Sequence, residues 1–583
     1  MVMRRQASPH LQGAEQNRGQ KQMGLDVLRR LALASGTALA VLCGAALSSR
    51  AADSLTAGNA NPNDWPEYHR TWNAWRYSPL EEVNTKNVQK LHVAWIHQPG
   101  DITSGLLSTP LVADGVFYYV AANDNVFALN GATGETIWHY QPKLAPVASQ
   151  SFYASQIRNI SMGHGFVYLG TLDGRVVAID QKTGKEAWST QLTDLKKCYG
   201  CLFSSTPVLA GDVLVGGTTG GDQPIAGQIF GVDALTGKLL WTLKTTKDDP
   251  KSWPGDTGAV GGSTAWNVGT YDPTSDTVFI GVGNAAPDFY WNDRHGDNLY
   301  AATVLALDPK TGNIKWHRQE VPGDHYDYDA VYEALVVDEG KRQLIVHLSK
   351  SGFVFVMDKA DGKLANVWPL AQNYNWVKSI DPKTGELAGQ VGDYPLGKET
   401  VVCPYLLGVR SWNPGAYNPK TKLWYTNAME ACETLIPAKQ DVSKIGIAGL
   451  YLGVEKLEAV KPPDAPASAR LDARDPITGK LKWSVPYSIP GLGGVLTTGG
   501  GLVFNGDPQG LVHAYDAENG KELWHFNVGS GVRAGIISYA VNGKQYIAVP
   551  AGWGSLAPGF MASAFPEVGK LQGGAAMVVF ALD

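Results

Sequence analysis

Three aspartates crowd the segment PGDHYDYDA, at Asp324, Asp327 and Asp329, and Lys350 follows in LSKSGFVFVMD. Carboxylates two apart on an extended segment point to one side, so Asp327 and Asp329 are expected to share a cation. Asp222, in the Gly-rich bend GGTTGGDQPIAGQIF, and Asn284, in FIGVGNAAP, would add hard oxygen ligands of the kind that calcium takes. Trp266, in GGSTAWNVGTYDP, stands eighteen residues before Asn284. Singly, each has a plainer role: a solvated Gly-Gly-Asp turn, an Asn capping a bend, a Trp in a core, a surface Asp-Tyr-Asp loop. Their occurrence together, in order along one chain, points to a metal-assisted site.

Positioning such a set from distant segments needs a scaffold, and the sequence repeats. The copies read ALNGATGETIW (ending at Trp138), AIDQKTGKEAW (Trp188), GVDALTGKLLW (Trp241), ALDPKTGNIKW (Trp316), ARDPITGKLKW (Trp483) and AYDAENGKELW (Trp524). A further copy, VMDKADGK from Val356, has no Trp in register, and the strand LHVAWIH supplies Trp95 without the turn. A period of roughly 40–50 residues is the mark of a propeller built from four-stranded blades. Gly after Thr suits a hairpin that needs positive φ. The fold predicted is all-β, an eight-bladed β-propeller with Trp-containing repeats, and its loop face around the central channel is where several blades deliver side chains to one point.

The 583 residues include 67 Gly and 33 Pro with only 18% charged residues, a turn-rich and strand-rich make-up rather than a helical one. The N-terminus differs: Arg29 and Arg30 precede LALASGTALAVLCGAALSS, then Arg50, Ala51 and Ala52. That order reads as a secretory signal over residues 1–52, cleaved near Ala51 or Ala52, with the propeller over 53–583 and a periplasmic destination. Its loss leaves 42 Lys and Arg against 52 Asp and Glu, a formal charge of −10. Such acidity argues against nucleic-acid binding and suits a basic protein partner. Cys198, Cys201, Cys403 and Cys432 remain, and a structural disulfide is expected in each pair. Leu202 follows the Cys198–Cys201 pair where covalent haem attachment needs His, and no Cys-x-x-Cys-His occurs.

With repeats and site segments in this order, the chain resembles the quinoprotein alcohol dehydrogenases, exported eight-bladed enzymes that carry pyrroloquinoline quinone (PQQ) and a metal ion. The resemblance implies that Trp266 lies flat under the quinone, that Asp222, Asn284 and Asp327 are metal ligands, and that Asp327 is the catalytic base. It implies that Lys350 hydrogen-bonds the quinone oxygens and acts with Asp327 in catalysis, and that Arg158, in SQIRNI, pairs with a cofactor carboxylate. Ser204, Thr219 and Thr264 count as cofactor-binding hydroxyls. Cys403 and Cys432 fall where some members have a cross-linking disulfide. Asp329, two residues after the base, resembles an extra acidic ligand of lanthanide-dependent members; calcium is the expected ion and a lanthanide the alternative.

The chain also departs from that pattern. Phe152 and Tyr153 stand where the alcohol dehydrogenases usually carry two adjacent cysteines over the quinone. Asp222 replaces the usual Glu, Leu107 and Ser108 stand where an acidic residue is common, and Arg410-Ser411 precede Trp412 where Asn is common. These changes keep oxidation of a sugar or polyol (a sorbose-like dehydrogenase) open beside oxidation of an alcohol. A non-catalytic assembly-factor propeller is the rival from another class, but it needs no buried acidic cluster. Trp412, Trp553 and Leu492 are expected to border the pocket or to belong to the core. The expected type is haem-free, with no cytochrome domain after the last blade, no membrane span in the mature form, and electrons leaving to a soluble cytochrome c or similar acceptor.

Overall fold

The repeated turn shows how local chemistry sets the architecture. In the copy at Asp233, the carboxylate accepts hydrogen bonds from the backbone N–H groups of Leu235 (3.1 Å) and Thr236 (2.8 Å). The Gly237 N–H donates to the Asp233 carbonyl at 2.8 Å, with Gly237 at φ +74°. A β-carbon there would lie 2.6 Å from Cε3 of Trp188, the Trp of the preceding copy. Glycine is therefore required twice, by its dihedral and by the indole packed on it. The same approach brings Trp95 to Gly134, Trp138 to Gly184, Trp241 to Gly312, Trp316 to Gly362 and Trp483 to Gly520. Several of these indole N–H groups also donate to the next copy's turn, as Trp138 does to the Gln181 carbonyl (3.0 Å) and Trp241 to that of Pro309 (2.8 Å).

The copy from Val356, with no Trp in register, still supplies one out of register. Its strand Leu364–Pro369 places Trp368 against Gly479, with the indole N–H on the Pro476 carbonyl at 3.2 Å. Trp368 lies two residues beyond the usual position, and a shift of two keeps a strand residue on the same face. A search for fixed spacing misses it; the pleat does not.

The computed structural model describes residues 61–154, 156–198, 200–446 and 449–583, and these described residues belong to one compact unit. The signal segment expected over residues 1–52 lies outside the described residues. The fold is an all-β propeller of many four-stranded antiparallel sheets. Among the described residues seven sheets have four strands and one has five. One sheet is typical: Thr270–Asp272, Thr277–Val282, Thr303–Leu307 and Ile314–Gln319 follow one another as antiparallel neighbours. The chain ends meet in another, where the early strand His92–His97 pairs antiparallel with the last strand, Ala576–Ala581, in the register Val93↔Phe580. Central strands are almost wholly apolar and buried, as Phe353–Asp358 shows, because each packs sheet against sheet on both faces.

Two additions stand outside this pattern. Between the strands Leu423–Glu430 and Ser468–Arg474 an excursion adds Cys432–Pro437 and Val454–Val460, and Cys432–Pro437 lies between Thr400–Val402 and Val454–Val460 in a three-stranded sheet. The short helix Ala557–Met561 lies near the C-terminus. Disulfides join Cys198 to Cys201 and Cys403 to Cys432, as expected; the second ties the start of the excursion to the preceding segment. No helix among the described residues is long and apolar enough to cross a membrane.

Candidate active site

Loops from successive sheets converge on a cavity of about 150 Å3. Asp222 lies in the bend after Val213–Gly217, and Trp266 in the segment before Thr270–Asp272. Asn284 follows directly on Thr277–Val282, and Lys350 sits in the turn between Arg342–Leu348 and Phe353–Asp358. Asp327 and Asp329 lie between Ile314–Gln319 and Leu335–Glu339. Arg158, Thr219, Asp222, Trp266, Asp327, Asp329 and Lys350 all line the cavity.

Asp327 and Asp329 share a partner, though not for the reason the spacing suggests. No strand covers residues 324–331, and Asp327 has φ +59°, so the segment is not extended. What draws the two carboxylates together is Lys350, whose Nζ lies 2.8 Å from Asp327 Oδ1 and 2.6 Å from Asp329 Oδ2. Left-handed backbone at a non-glycine residue is costly and concentrates at functional sites. Asp324 turns away from this group. Its carboxylate accepts from the N–H groups of Tyr326 and Tyr328, and burial lifts it to about 6.

Around Lys350 the balance is one ammonium to four carboxylates, those of the buried Asp288, Asp327 and Asp329 and the half-buried Asp222. Burial raises Asp327 well above the usual carboxylate range; Lys350 pulls against this, while Asp329 and Asp222 add to it. Asp222 is raised by burial and then by Asp329, and Asp288 is raised strongly by burial and then by Asp222 and Asp327. The two carboxylates beside Lys350 outweigh its burial and hold its ammonium charged. A surplus of buried anions is the environment that a hard cation relieves. Among the described residues no three acidic, His or Cys side chains converge by themselves as a ligand set. Lys350 engages Asp327 and Asp329, and the Tyr153 hydroxyl donates to Asp222 Oδ2 at 2.6 Å. Asn284 completes the donors: its Nδ2 donates to Asp288 Oδ1 (2.8 Å), and its Oδ1 faces Gly221, where a β-carbon would be 3.1 Å away. The residues fit a calcium-like cation that competes with Lys350 and Tyr153 for these oxygens.

Asp329 is also the most heavily engaged carboxylate of this cluster. Its Oδ1 accepts from the Asn284 N–H at 2.9 Å and from Trp266 Nε1 at 3.2 Å. Trp266 is thereby held edge-on to the acidic cluster, with one face of its ring turned to Arg158. The Arg158 guanidinium lies over that face, 4.8 Å from the ring centre, and 5.0 Å from that of Trp412. Burial lowers Arg158 to about 10, which leaves it charged at neutral pH. Its Nε is buried without a partner among the described residues, and so is the Thr264 hydroxyl behind Gly221. Thr219 spends its proton on the carbonyls of Gly200 and Leu202, and Ser204 donates to the Trp266 carbonyl at 3.3 Å. A flat anion with several oxygens fits this cradle of indole, guanidinium and hydroxyls.

Where two cysteines were missing, Phe152 and Tyr153 line the cavity, and Phe152 meets Phe560 of the C-terminal helix at 6.5 Å. The excursion supplies Leu450, Leu452 and Leu457 to the rim. It is tied to the acidic loops by backbone bonds: Tyr451 N–H to the Asp222 carbonyl (2.8 Å) and Phe289 N–H to that of Leu452 (2.8 Å). Trp412 borders the cavity, whereas Leu492 is buried in a core cluster. Trp553 is buried beneath Arg533. Sequence reasoning missed Asp288 and Arg533. Asp288 carried one signal, its position four residues after Asn284; Arg533 carried none.

This geometry agrees with what the chain is similar to. Residues 65–374 and 465–547 match the family described as "PQQ: Glucose/ethanol/alcohol dehydrogenase, beta-propeller domain". The quinohemoprotein alcohol dehydrogenase ADH IIB of Pseudomonas putida is 33% identical over 89% of this chain and 78% of its own length. The quinoprotein alcohol dehydrogenase PedH of Pseudomonas putida is 33% identical over 83% of this chain and 85% of its own. Among solved structures, a europium-containing methanol dehydrogenase superposes with a TM-score of 0.84 at 27% identity, covering 91% of this chain and all of that one.

Proposed function

The chain belongs to the family of PQQ-dependent alcohol dehydrogenases, and from that premise we propose that it oxidises an alcohol hydroxyl to a carbonyl in the cavity bounded by Trp266, Arg158 and the Asp222–Asp327–Asp329 cluster. The observation that carries this reading is the pairing of Asp327 with Lys350 at 2.8 Å in the cavity that Trp266 and Arg158 also line. Bound PQQ supplies the two-electron acceptor, and a bound cation supplies the Lewis acid that polarises its reacting carbonyl.

Everything else is the work of this chain's side chains. Trp266 provides the stacking platform, held in place by Asp329. Arg158 meets a cofactor carboxylate, with Ser204, Thr219 and Thr264 around it. Asp222, Asn284 and Asp327 would hold the cation, with Asp329 as a third anionic group. Asp327 takes the hydroxyl proton, a role favoured by the same burial that raises its proton affinity. Lys350 holds Asp327 in position and would donate to negative charge developing on a bound quinone. Phe152, Phe560 and the leucines of the excursion close the top and exclude water.

We assign calcium as the ion and a lanthanide as the alternative, because Asp329 already serves Asn284, Trp266 and Lys350. The eight sheets are read as eight blades, with the Trp–Gly contacts docking one blade to the next. Export to the periplasm follows from the segment 1–52, and the absence of Cys-x-x-Cys-His from the sequence supports a haem-free type that hands electrons to a soluble cytochrome c or similar acceptor. The aromatic ceiling in place of paired cysteines keeps polyols and sugars within the substrate range to be tested.

The deciding experiment mixes purified mature apoprotein with PQQ and with calcium or lanthanum separately, and follows dye reduction over a panel of alcohols, polyols and sugars. Turnover that needs both quinone and metal is the expected result. No quinone binding with either ion would leave a binding propeller instead.

A further inference from the structure

Buried arginines in this molecule are normally compensated. Arg410 makes a two-pronged pair with Glu333, at 3.0 and 2.6 Å. Arg470 meets Glu430 and Asp472, and Arg76 uses all three of its nitrogens on the carbonyls of Val495, Tyr68 and Ile536. Arg533 is different. It is 2% exposed and lines the cavity, yet it has no carboxylate within ion-pair distance among the described residues. Its Nη1 donates to the Gly554 carbonyl (3.0 Å) and to Ser555 Oγ (3.1 Å), while Nε is buried without a partner. The Ser555 hydroxyl in turn reaches Gln156 Oε1 at 3.4 Å, and the guanidinium lies 5.8 Å from the Trp553 ring centre.

The charge felt by Arg533 makes it stranger still. Burial, and then repulsion from Arg158, push it down to about 9, and Tyr405 offers only weak compensation. Arg533 therefore stays protonated at neutral pH, in a wall that already holds Arg158. Two guanidiniums that face one cavity without an ion-pair partner among the described residues are unfavourable in isolation and become favourable when an anion lies between or across them. The acidic cluster and Lys350 line the same cavity, and of that cluster Asp329 acts on Arg158 but none of it is an ion-pair partner of Arg533.

We propose that Arg533, backed by Ser555 and Gln156, is a second carboxylate-binding residue of this cavity, acting beside Arg158 on a ligand that carries carboxylate groups. The inference rests on the quinone reading. The carboxylate is supplied either by the cofactor, which carries three, or by a hydroxy-acid substrate. The planar guanidinium fork matches a carboxylate in two-point contact, which an ammonium cannot reproduce.

The test has two arms on the mature apoprotein with calcium. PQQ affinity is measured by quenching of Trp fluorescence for wild type, Arg533→Met and Arg533→Lys, and the holoenzymes are then assayed on 1-butanol and on 4-hydroxybutanoate. Loss of a charge-assisted contact is expected to weaken binding about tenfold or more. A cofactor carboxylate at Arg533 raises the Kd for PQQ by that factor in Arg533→Met and by less in Arg533→Lys. A substrate carboxylate leaves that Kd unchanged and lowers kcat/KM for 4-hydroxybutanoate relative to 1-butanol by the same factor. Arg533→Lys, which keeps the charge, gives the smaller shift in the same direction and serves if the Met variant does not fold. Variants that melt like wild type with both readouts unchanged would overturn the proposal. Wild type that binds no PQQ would instead bring down the quinone reading, and this inference with it.

Discussion

Lys350 Nζ lies 2.8 Å from Asp327 Oδ1, inside a wall where burial alone would discourage either charge. The pair keeps the base oriented and the ammonium next to the stacking platform. Asp327→Asn keeps the shape and removes the proton acceptor. It is expected to lower kcat by 10²–10⁴-fold while PQQ still quenches Trp fluorescence in the apoprotein. Turnover at the wild-type rate would remove Asp327 from the base role.

Asp329 accepts from Trp266, Asn284 and Lys350 at once, so its substitution reaches both the platform and the ion. A trivalent ion gains more than a divalent one from a third anionic ligand. Asp329→Ala is therefore expected to depress lanthanum-supported activity more than calcium-supported activity, by about tenfold in the ratio, an amount equal to about 1.4 kcal/mol of differential binding. An unchanged ratio would mean that Asp329 does not touch the ion.

The parts legible in the sequence were those whose chemistry is local. The Asp-x-x-Thr-Gly turn is written in five residues, because the Asp233 carboxylate, the Thr236 N–H and the Gly237 dihedral all lie within one bend. The Trp266, Asn284, Asp327 and Lys350 segments stood out because each has unusual residues next to a strand end. Trp368 escaped because two extra residues separate it from its turn, a change invisible to a fixed period and harmless to a pleat. Asp288 and Arg533 escaped because their significance comes from neighbours distant in sequence: Arg533 matters through Arg158, Gln156 and the lack of a counter-charge. The expectation that Asp327 and Asp329 would align by strand geometry failed because the bend at Asp327 replaces the strand.

The Trp–Gly contacts make a stability prediction with an internal control. Gly312 has φ +72°, and a β-carbon on it would fall 2.5 Å from Trp241 Cε3. Gly340 has φ +63° and nothing within 4 Å of the same position. Alanine at either position takes on left-handed strain, but only at Gly312 must it also displace an indole. Gly312→Ala is expected to lose more stability than Gly340→Ala by about 1–3 kcal/mol, the usual cost of overpacking. Denaturant midpoints at equal slope measure the difference, and equal losses would mean that the indole gives way freely.

Glu433 supplies a pH test outside the acidic cluster. Its side chain is fully buried, with Oε2 accepting from the Leu406 N–H at 3.0 Å and Oε1 without a partner among the described residues. Burial raises it to about 8, against which that hydrogen bond and then Lys350 pull only partly. The folded chain thus holds its proton more tightly than the unfolded chain, whose carboxyl titrates near the ordinary glutamate value of about 4.3. Stability from this group is complete below that value and is lost as pH rises through about 8, since folding must then either keep a proton or bury a charge. Glu433→Gln keeps the shape without the titration. Between pH 5 and pH 9 the melting temperature of wild type is expected to fall relative to that of Glu433→Gln, with most of the gap opening by pH 8; parallel curves would show that Glu433 is ionised in the folded protein throughout.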